Sequence, residues 1–259
     1  MAEIEDGKVK HIVQFSGGKD STCMLLMMLE KGMQVDEITF CDTGMEFPQM
    51  YDHIAQVEND ISKKYGKHIT TISAPHSYYY YMFNHVPKVR KDPKHDKIGF
   101  SWASMGRRWC TARMKVDVLS QYLRKFKGED YIINIGIAYD EPKRHQNIPA
   151  NIRHPLFEWG ITEKMALSFC KGHGYTWGGL YDKFRRVSCW CCPLQPISEL
   201  RKLYHDFPSL WQQLKDMDKQ TWRQFRADYS VQDLEDKFKR EDYLKKISIP
   251  LFTVNTDDL

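Results

Sequence analysis

The sequence predicts an α/β protein with a doubly wound, mostly parallel sheet and a helical region at its C-terminal end. Three observations predict this class. Short apolar runs alternate with amphipathic segments in the first half of the chain, a pattern typical of parallel strands joined by helical crossovers. A glycine turn directly follows the first apolar run. The 259 residues, of which 42% are hydrophobic, are enough to bury a full core.

The elements of the sheet are predicted in chain order. An apolar run at residues 9–15 predicts a buried strand, and a helix follows it over about 20–31. A second strand is predicted at 35–41, a helix opened by Pro48 over about 48–65, and a third strand at 68–72. A helix over about 111–126 and a strongly apolar strand at 131–137 continue the same rhythm.

Two segments depart from this rhythm. Residues from about 73 to 109, with four tyrosines at 78–81 and a basic run at 88–94, predict an insertion over the carboxyl edge of the sheet. The chain from 197 onward predicts helices, whose apolar stripe is interpreted as core. That stripe comprises Trp211, Leu214, Met217, Trp222 and Phe225. We therefore expect a nucleotide-binding domain over 1–195 and a helical extension over 196–259 packed on it.

Composition limits the classes of function. No run approaches the ~20 consecutive apolar residues that span a bilayer, and the N-terminus lacks the apolar core of a signal peptide. A cytoplasmic protein with no membrane partner is expected. The net charge of +4 suits an anionic substrate without requiring nucleic acid. Seven cysteines in such a protein indicate metal or redox chemistry more than a disulfide framework.

The turn after the first strand predicts a phosphate site. Its glycines, Gly17 and Gly18, allow the backbone to approach a ligand closely, and the helix that follows presents unpaired N–H groups to an anion. Lys19 adds a positive charge, and the hydroxyls of Ser16, Ser21 and Thr22 add donors. Asp20 and the glycine spacing exclude a Walker A loop. The alternative is a plain strand-to-helix turn with a capping serine.

Five segments in a fixed order resemble the N-type ATP pyrophosphatases (PP-loop proteins) and the related sulfonucleotide (APS/PAPS) reductases. The segments are Ser16-Gly17-Gly18-Lys19-Asp20-Ser21, Asp42-Thr43-Gly44-Met45-Glu46-Phe47-Pro48, Arg108-Trp109-Cys110-Thr111 with Arg113 to Lys115, Gly136 to Arg144, and Leu180-Tyr181 through Cys189-Trp190-Cys191-Cys192-Pro193. The resemblance covers roughly residues 9–220. It implies a fold like that of the adenine nucleotide alpha hydrolases, with the nucleotide at the carboxyl ends of the strands.

The resemblance also implies chemistry. In such enzymes ATP is cut between its α and β phosphates, which adenylates a substrate. Asp42 would hold Mg²⁺ or orient the nucleotide, and Asp20 is either a metal ligand or an ordinary helix N-terminal carboxylate. Gly136, Glu141 and Arg144 follow a buried strand at the expected active edge, where nucleotide or substrate contact competes with ordinary helix capping.

The cysteine cluster predicts a metal centre. Cys189 and Cys192 are spaced so that both thiolates can face one centre, and the family brings a further ligand at Cys110. We expect these three to bind a 4Fe-4S cluster, with Cys191 as a fourth ligand or a working thiol. Zinc and a redox disulfide between Cys189 and Cys192 remain alternatives. Buried free thiols are a third alternative, which suits Cys23, Cys41 and Cys170 best because each lies in an apolar segment. Arg108, Arg185 and Arg186 beside the cysteines are candidate ligands for phosphate or sulfate oxygens.

One departure from the family pattern directs the functional expectation. The chain has no cysteine after Cys192, so the C-terminal nucleophile of the reductases is missing. We therefore expect ATP-dependent sulfur transfer, with Lys19 and Asp42 at the nucleotide and an acceptor that is tRNA, DNA or a small molecule. A separate protein could donate sulfur or electrons. The alternatives are an APS or PAPS reductase that uses Cys191 and releases sulfite, and a non-catalytic nucleotide-binding protein with structural zinc.

Overall fold

The computed structural model describes residues 9–86 and 97–248. The first half of the chain folds as predicted into alternating strands and helices. These are β1 (Lys10–Gln14), α1 (Lys19–Glu30), β2 (Glu37–Asp42), α2 (Pro48–Tyr65) and β3 (Ile69–Ser73). Pro48 occupies the first turn of α2, and Gly66 ends that helix in a left-handed conformation, so both boundaries follow from local sequence chemistry.

The helix predicted over 111–126 forms, with an interruption. It begins as α3 (Trp109–Thr111), passes through one π-helical turn (Ala112–Val116), and continues as α4 (Asp117–Leu123). A short 3₁₀ turn ends it at Phe126. The π turn places Lys115 within the irregular stretch, and such turns are frequent at functional sites.

Five parallel strands form one sheet in the order β3-β2-β1-β4-β5. The two remaining strands are β4 (Tyr131–Ile135) and β5 (Ile152–Arg153). The predicted doubly wound, parallel class is therefore confirmed, although the sequence did not predict β5, which has only two residues. The central strand β1 is followed by the glycine turn, so the turn lies at the carboxyl edge of the sheet.

Helices cover the sheet and pack on one another. α1 packs against α5 (Pro155–Glu158) and α6 (Glu163–Gly172), and α4 packs on β3. A cluster of Cys41, Ile72 and Val118 joins α4 to strands β2 and β3. Cys23, Cys41 and Cys170, predicted to be buried, are all buried. Within the described ranges, no helix is long and apolar enough to cross a membrane.

The chain divides into two compact units. Among the described residues, the first unit comprises 9–78 and 108–190, and it contains the whole sheet. The second comprises 79–86, 97–107 and 191–248, so most of the predicted insertion groups with the C-terminal helices. The basic run predicted at 88–94 lies outside the described residues. The division predicted at residue 195 stays a prediction.

Helices build the second unit, as predicted for the C-terminal region. They are α8 (Ile197–Asp206), α9 (Pro208–Lys219) and α10 (Val231–Ser248); α7 (Leu180–Lys183) precedes them in the first unit. Trp211, Leu214 and Met217 are buried, as their helical spacing predicts. Trp222 is 38% exposed, so its assignment to the core was wrong. It follows the end of α9, where helical periodicity no longer applies.

Candidate functional site

The glycine turn is held rigidly between β1 and α1. Gly17 has a φ of +77°, a conformation that favours glycine, and a Cβ there would lie 2.8 Å from the Met50 sulfur on α2. The Trp177 indole donates a hydrogen bond of 2.7 Å to the Gly17 carbonyl. Contacts with α2 and with the segment before α7 therefore hold the turn in place.

Gly136 brings the end of β4 against the first turn of α1. A Cβ on Gly136 would lie 2.8 Å from the Ser21 amide nitrogen and 2.9 Å from the Asp20 carbonyl carbon. Ordinary contact begins at 3.4 Å, so only glycine allows this approach. Gly136 was predicted to contact the nucleotide, and the structure gives it a second role in setting the spacing of the site.

Residues around the turn form hydrogen bonds with one another. The Ser21 hydroxyl donates to the Gly18 carbonyl and lies 3.0 Å from the Ser16 hydroxyl. The amide of Lys19 donates a 2.9 Å hydrogen bond to the Tyr181 hydroxyl oxygen. That phenol thus occupies one of the amides of the first helical turn, which have no partner within the helix.

Thr22 faces away from this edge. It is fully buried, and its hydroxyl lies 3.1 Å from Nε2 of His53 on α2. Burial lowers the pKa of His53 to about 4, so the ring is neutral near pH 7. The His53 ring also lies 4.4 Å from that of Trp177. Thr22 and His53 therefore support the turn from inside the core.

A cavity of about 280 Å³ opens in front of the turn, within the first unit. Nine residues predicted to bind nucleotide or substrate line it. They are Ser16, Gly18, Lys19, Asp20, Ser21, Gly136, Glu141, Arg144 and Arg186. Gly17, Thr22, Asp42, Arg108 and Arg185 are not among its lining residues. The sequence therefore located most of the walls of this cavity.

Asp42, predicted at the nucleotide, has other partners. Its Oδ1 accepts hydrogen bonds of 2.8 Å from the Gly44 amide and from the Tyr51 hydroxyl. These bonds shape the turn after β2, which positions Thr43 and Glu46. A direct role of Asp42 at a metal or nucleotide stays a prediction.

Three carboxylates gather on one side of the cavity. Ligand atoms of Asp20, Glu141 and Glu163 lie within 4.8 Å of one another, the only such group of potential metal ligands among the described residues. The Lys19 ammonium lies 2.8 Å from Asp20 and 3.3 Å from Glu163, and Arg144 pairs with Glu141 at 2.8 Å. Burial raises the pKa of Asp20 against the opposing effect of Lys19. Carboxylate oxygens are the ligands that Mg²⁺ prefers.

Cys189 lies against the loop that follows β2. Its Sγ donates a hydrogen bond of 3.5 Å to Oε1 of Glu46 and lies 3.8 Å from the Thr43 hydroxyl. The Trp190 amide donates to the Met45 carbonyl at 3.1 Å, which fixes the chain beside that loop. Glu46 is buried, so its carboxylate is a strong local charge.

Lys115 lines the cavity and also lies close to the residues around Cys189. Its Nζ lies 3.7 Å from Oε1 of Glu46. Burial would lower the pKa of Lys115, but the thiols and the carboxylate around it hold that pKa above its usual range. The groups responsible are Cys189, Glu46, Cys41 and Cys110. Two predicted metal ligands, Cys110 and Cys189, therefore interact with one ammonium group.

The other two clustered cysteines belong to the second unit. Cys191 is only 1% exposed, and Cys192 is half-buried. Burial by itself disfavours the thiolate form of a cysteine, which is the reactive form.

The sequence missed four contributors to the site. It predicts Cys41 only as a core thiol and gives no role to Lys115, Glu163 or Tyr181. Glu163 opens α6 directly after the capping Thr162, a local signal for a helix start that carries no information about what the helix faces. Only the packing of α6 against α1 brings its carboxylate to Lys19.

Comparisons with known proteins identify sequences and structures to which this chain is similar. A family model, the phosphoadenosine phosphosulfate reductase domain, matches residues 10–195. The uncharacterized protein MJ0066 of Methanocaldococcus jannaschii is 27% identical over an alignment of 213 residues that covers 78% of this chain and 40% of that protein. A second protein of that organism, MJ0973, is 26% identical over 78% of this chain and 46% of its own length. The chain spans less than half the length of these relatives.

Two solved structures are also similar. One is the phosphate complex of phosphoadenylyl-sulfate (PAPS) reductase from Candida auris, with a TM-score of 0.46 and 16% identity over 70% of this chain and 81% of that one. The other is the U34-tRNA thiolase NcsA from Methanococcus maripaludis with its 4Fe-4S cluster, with a TM-score of 0.42 and 14% identity over 90% of this chain and 72% of that one. Because the family model matches well over half of its residues, the chain belongs to the phosphoadenosine phosphosulfate reductase domain family.

Proposed function

We propose that this protein is an enzyme that binds ATP at the glycine turn, adenylates an acceptor with release of pyrophosphate, and transfers sulfur with the help of an iron–sulfur cluster. The single observation that carries the proposal is the position of Lys115. This side chain lines the cavity in front of the turn, and its Nζ lies 3.7 Å from the Glu46 oxygen to which the Cys189 thiol donates a hydrogen bond of 3.5 Å. One positive charge would therefore serve a phosphate site and a thiolate site together.

The phosphate end of the nucleotide would bind at the start of α1. The amides of the first helical turn and the Lys19 ammonium would hold the leaving pyrophosphate, because each stabilises negative charge. Asp20, Glu141 and Glu163 would hold Mg²⁺, which would neutralise phosphate charge. Arg144 and Arg186 line the same cavity and would bind further phosphate oxygens.

The reaction would proceed through two displacements. An oxygen of the acceptor attacks the α phosphorus of ATP, the α–β bridging bond breaks, and pyrophosphate leaves with the electron pair. A sulfide, supplied by a separate donor, then replaces the adenylated oxygen, and AMP leaves. Lys115, with its raised pKa, stays protonated and would stabilise the charge that develops on the side of the cavity near the thiols.

Cys110 and Cys189 both belong to the first unit and would bind the cluster from there. Cys192 follows Cys189 by three residues, a spacing that allows two thiolates to bind one centre. When bound, a four-iron cluster with these three ligands would supply one iron without a protein ligand, at which sulfide can bind. A zinc ion held by the same thiolates is the competing assignment.

Metal content tests the cluster. We expect anaerobically purified protein to show iron and sulfide in equal amounts with a broad absorption band in the visible range. Cys110→Ser and Cys189→Ser should lose most of the iron. Cys23→Ala, which alters a buried thiol on α1, is the matched control and should keep it. Zinc without iron in the wild type would refute the cluster.

Product analysis tests the reaction. With ATP, Mg²⁺, sulfide and an acceptor, we expect pyrophosphate and AMP, and Lys19→Ala should abolish both. Release of the γ phosphate alone would refute adenylation. Sulfite release from APS or PAPS with a thiol donor would instead identify a reductase, and Cys191→Ser would then be expected to be inactive.

A further inference from the structure

An exposed tryptophan in the second unit sits in an unusual setting. Trp222 is 38% exposed, and its indole N–H donates a 3.2 Å hydrogen bond to the Gly99 carbonyl. This bond fixes the orientation of the ring while part of it faces solvent. A large aromatic side chain held in this way offers a rigid surface on which a planar group can stack.

Two positively charged side chains lie close to this ring. The Lys97 ammonium lies 4.5 Å from the ring centre and the Arg223 guanidinium carbon lies 5.1 Å from it. Arg223 also donates to the Ser104 hydroxyl at 3.3 Å, and Ser104 pairs with Arg107 across a tight turn. Arg107 is exposed at that turn. We call this connected set of Lys97, Arg107, Trp222 and Arg223 the Trp222 surface.

The charges of the Trp222 surface differ from those elsewhere in the unit. Most lysines and arginines of α8, α9 and α10 pair with a carboxylate, as in Arg201–Glu241 and Lys215–Glu235. Within the described part of the chain, no carboxylate lies within ion-pair distance of Lys97, Arg107 or Arg223. Lys97 and Arg223 lie at one fixed aromatic ring, and Arg107 is joined to the same region through the backbone of Ser104. Cations that have no carboxylate partner among the described residues, next to such a ring, favour a partner that is both anionic and aromatic.

We propose that the Trp222 surface binds RNA, with unstacked bases on Trp222 and Arg223 and backbone phosphates at Lys97 and Arg107. RNA fits this chemistry because its single-stranded loops expose bases that stack on aromatic rings and guanidinium planes. A protein partner would need no aromatic stacking, and duplex DNA keeps its bases stacked. The inference deepens the proposed function and rests on it where it assigns the sulfur acceptor to RNA.

Fluorescence anisotropy with a labelled 20-nucleotide single-stranded RNA tests the proposal on the full chain, without ATP. We expect Trp222→Ala to weaken binding roughly 5- to 100-fold and Trp222→Phe to retain most of it, because phenylalanine keeps the stacking ring. The double variant Lys97→Gln/Arg107→Gln should weaken binding and lower the salt slope by about 1.4, as expected for two phosphate contacts. The matched control is Lys245→Gln/Lys246→Gln, which removes two exposed charges from α10 and should leave affinity unchanged.

The outcomes separate the two proposals. Equal affinity of the wild type and all variants, or no RNA binding at micromolar protein, would overturn the RNA surface. Tighter binding of single-stranded DNA of the same sequence would overturn the assignment to RNA. Iron content and ATP binding are measured on the same preparations. Normal values with no RNA binding would reject only this inference, whereas RNA binding by protein that holds neither would reject the proposed function.

Discussion

Replacing Gly136 by alanine should disrupt the phosphate site through a single methyl group. The new Cβ would lie 2.8 Å from the Ser21 nitrogen and 2.9 Å from both the Asp20 carbonyl carbon and the Ser21 Cα. These distances are about half an ångström shorter than ordinary contact. All three neighbours are backbone atoms, which cannot rotate away as a flexible side chain could. The end of β4 and the start of α1 must therefore separate.

Two separate effects follow from that separation, one on stability and one on ligand affinity. Overpacking of this kind costs roughly 1–3 kcal/mol of unfolding free energy. At roughly 2–4 °C per kcal/mol for a chain of this size, Tm should fall by several degrees. The methyl group would also cover the Ser21 amide, one of the donors at the helix start. Loss of one hydrogen bond to a charged group costs roughly 1.5–3 kcal/mol, or about 10- to 100-fold in affinity.

Isothermal titration with pyrophosphate and Mg²⁺ measures the second effect, and thermal unfolding measures the first. Gly172→Ala is the matched control, because a Cβ at that position, at the end of α6, meets nothing within 4 Å. It should leave pyrophosphate affinity unchanged and raise stability slightly. Wild-type affinity in Gly136→Ala would show that the approach of β4 to α1 does not shape the site.

Three further predictions concern groups around the same turn. Because the pKa of His53 is about 4 in the folded protein and near 6.5 when unfolded, acid protonates the unfolded chain first. The unfolding free energy should thus fall by up to about 3 kcal/mol between pH 7 and 4. Urea titrations at several pH values should show that this contribution to the pH dependence of stability is lost in His53→Gln. Trp177→Phe should lower stability by about 1–3 kcal/mol, since the Gly17 carbonyl loses its donor; an unchanged urea midpoint would contradict this. Lys115→Met should weaken ATP binding at least tenfold in calorimetry, and Lys115→Arg should weaken it much less. Equal ATP affinities of the wild type and Lys115→Met would show that Lys115 does not contribute to the site.

The sequence predicted the parts of this site that are local in the chain. A strand, a glycine turn and a helix start follow one another within residues 10–30, so hydrophobic period and glycine placement were sufficient to locate the phosphate turn. The order of the family segments likewise indicated Gly136, Glu141 and Arg144, which line the cavity. Four of the five strands follow from apolar runs, whereas β5, with two residues, is too short to give a periodic signal.

Outside regular elements, burial followed the predicted apolar stripe at Phe225 but not at Trp222. Trp222 fits an apolar stripe by spacing, but it lies after the end of α9 and its ring reaches solvent. Cys191 stands between two candidate ligands and is nevertheless buried. Periodicity predicts which face of a helix is buried, and neither residue belongs to one.

The sequence by itself determined the fold class, the family and the position of the phosphate turn, because these depend on residues adjacent in the chain or on their order. Tertiary structure alone decided that Glu163 joins Asp20 and Glu141, and that Lys115 interacts with Cys110 and Cys189 while lining the cavity. The physical reason is that parallel strands gather their carboxyl ends at one edge, which brings together side chains that are up to about 140 residues apart. A local sequence pattern gives no information about contacts between residues so far apart in the chain.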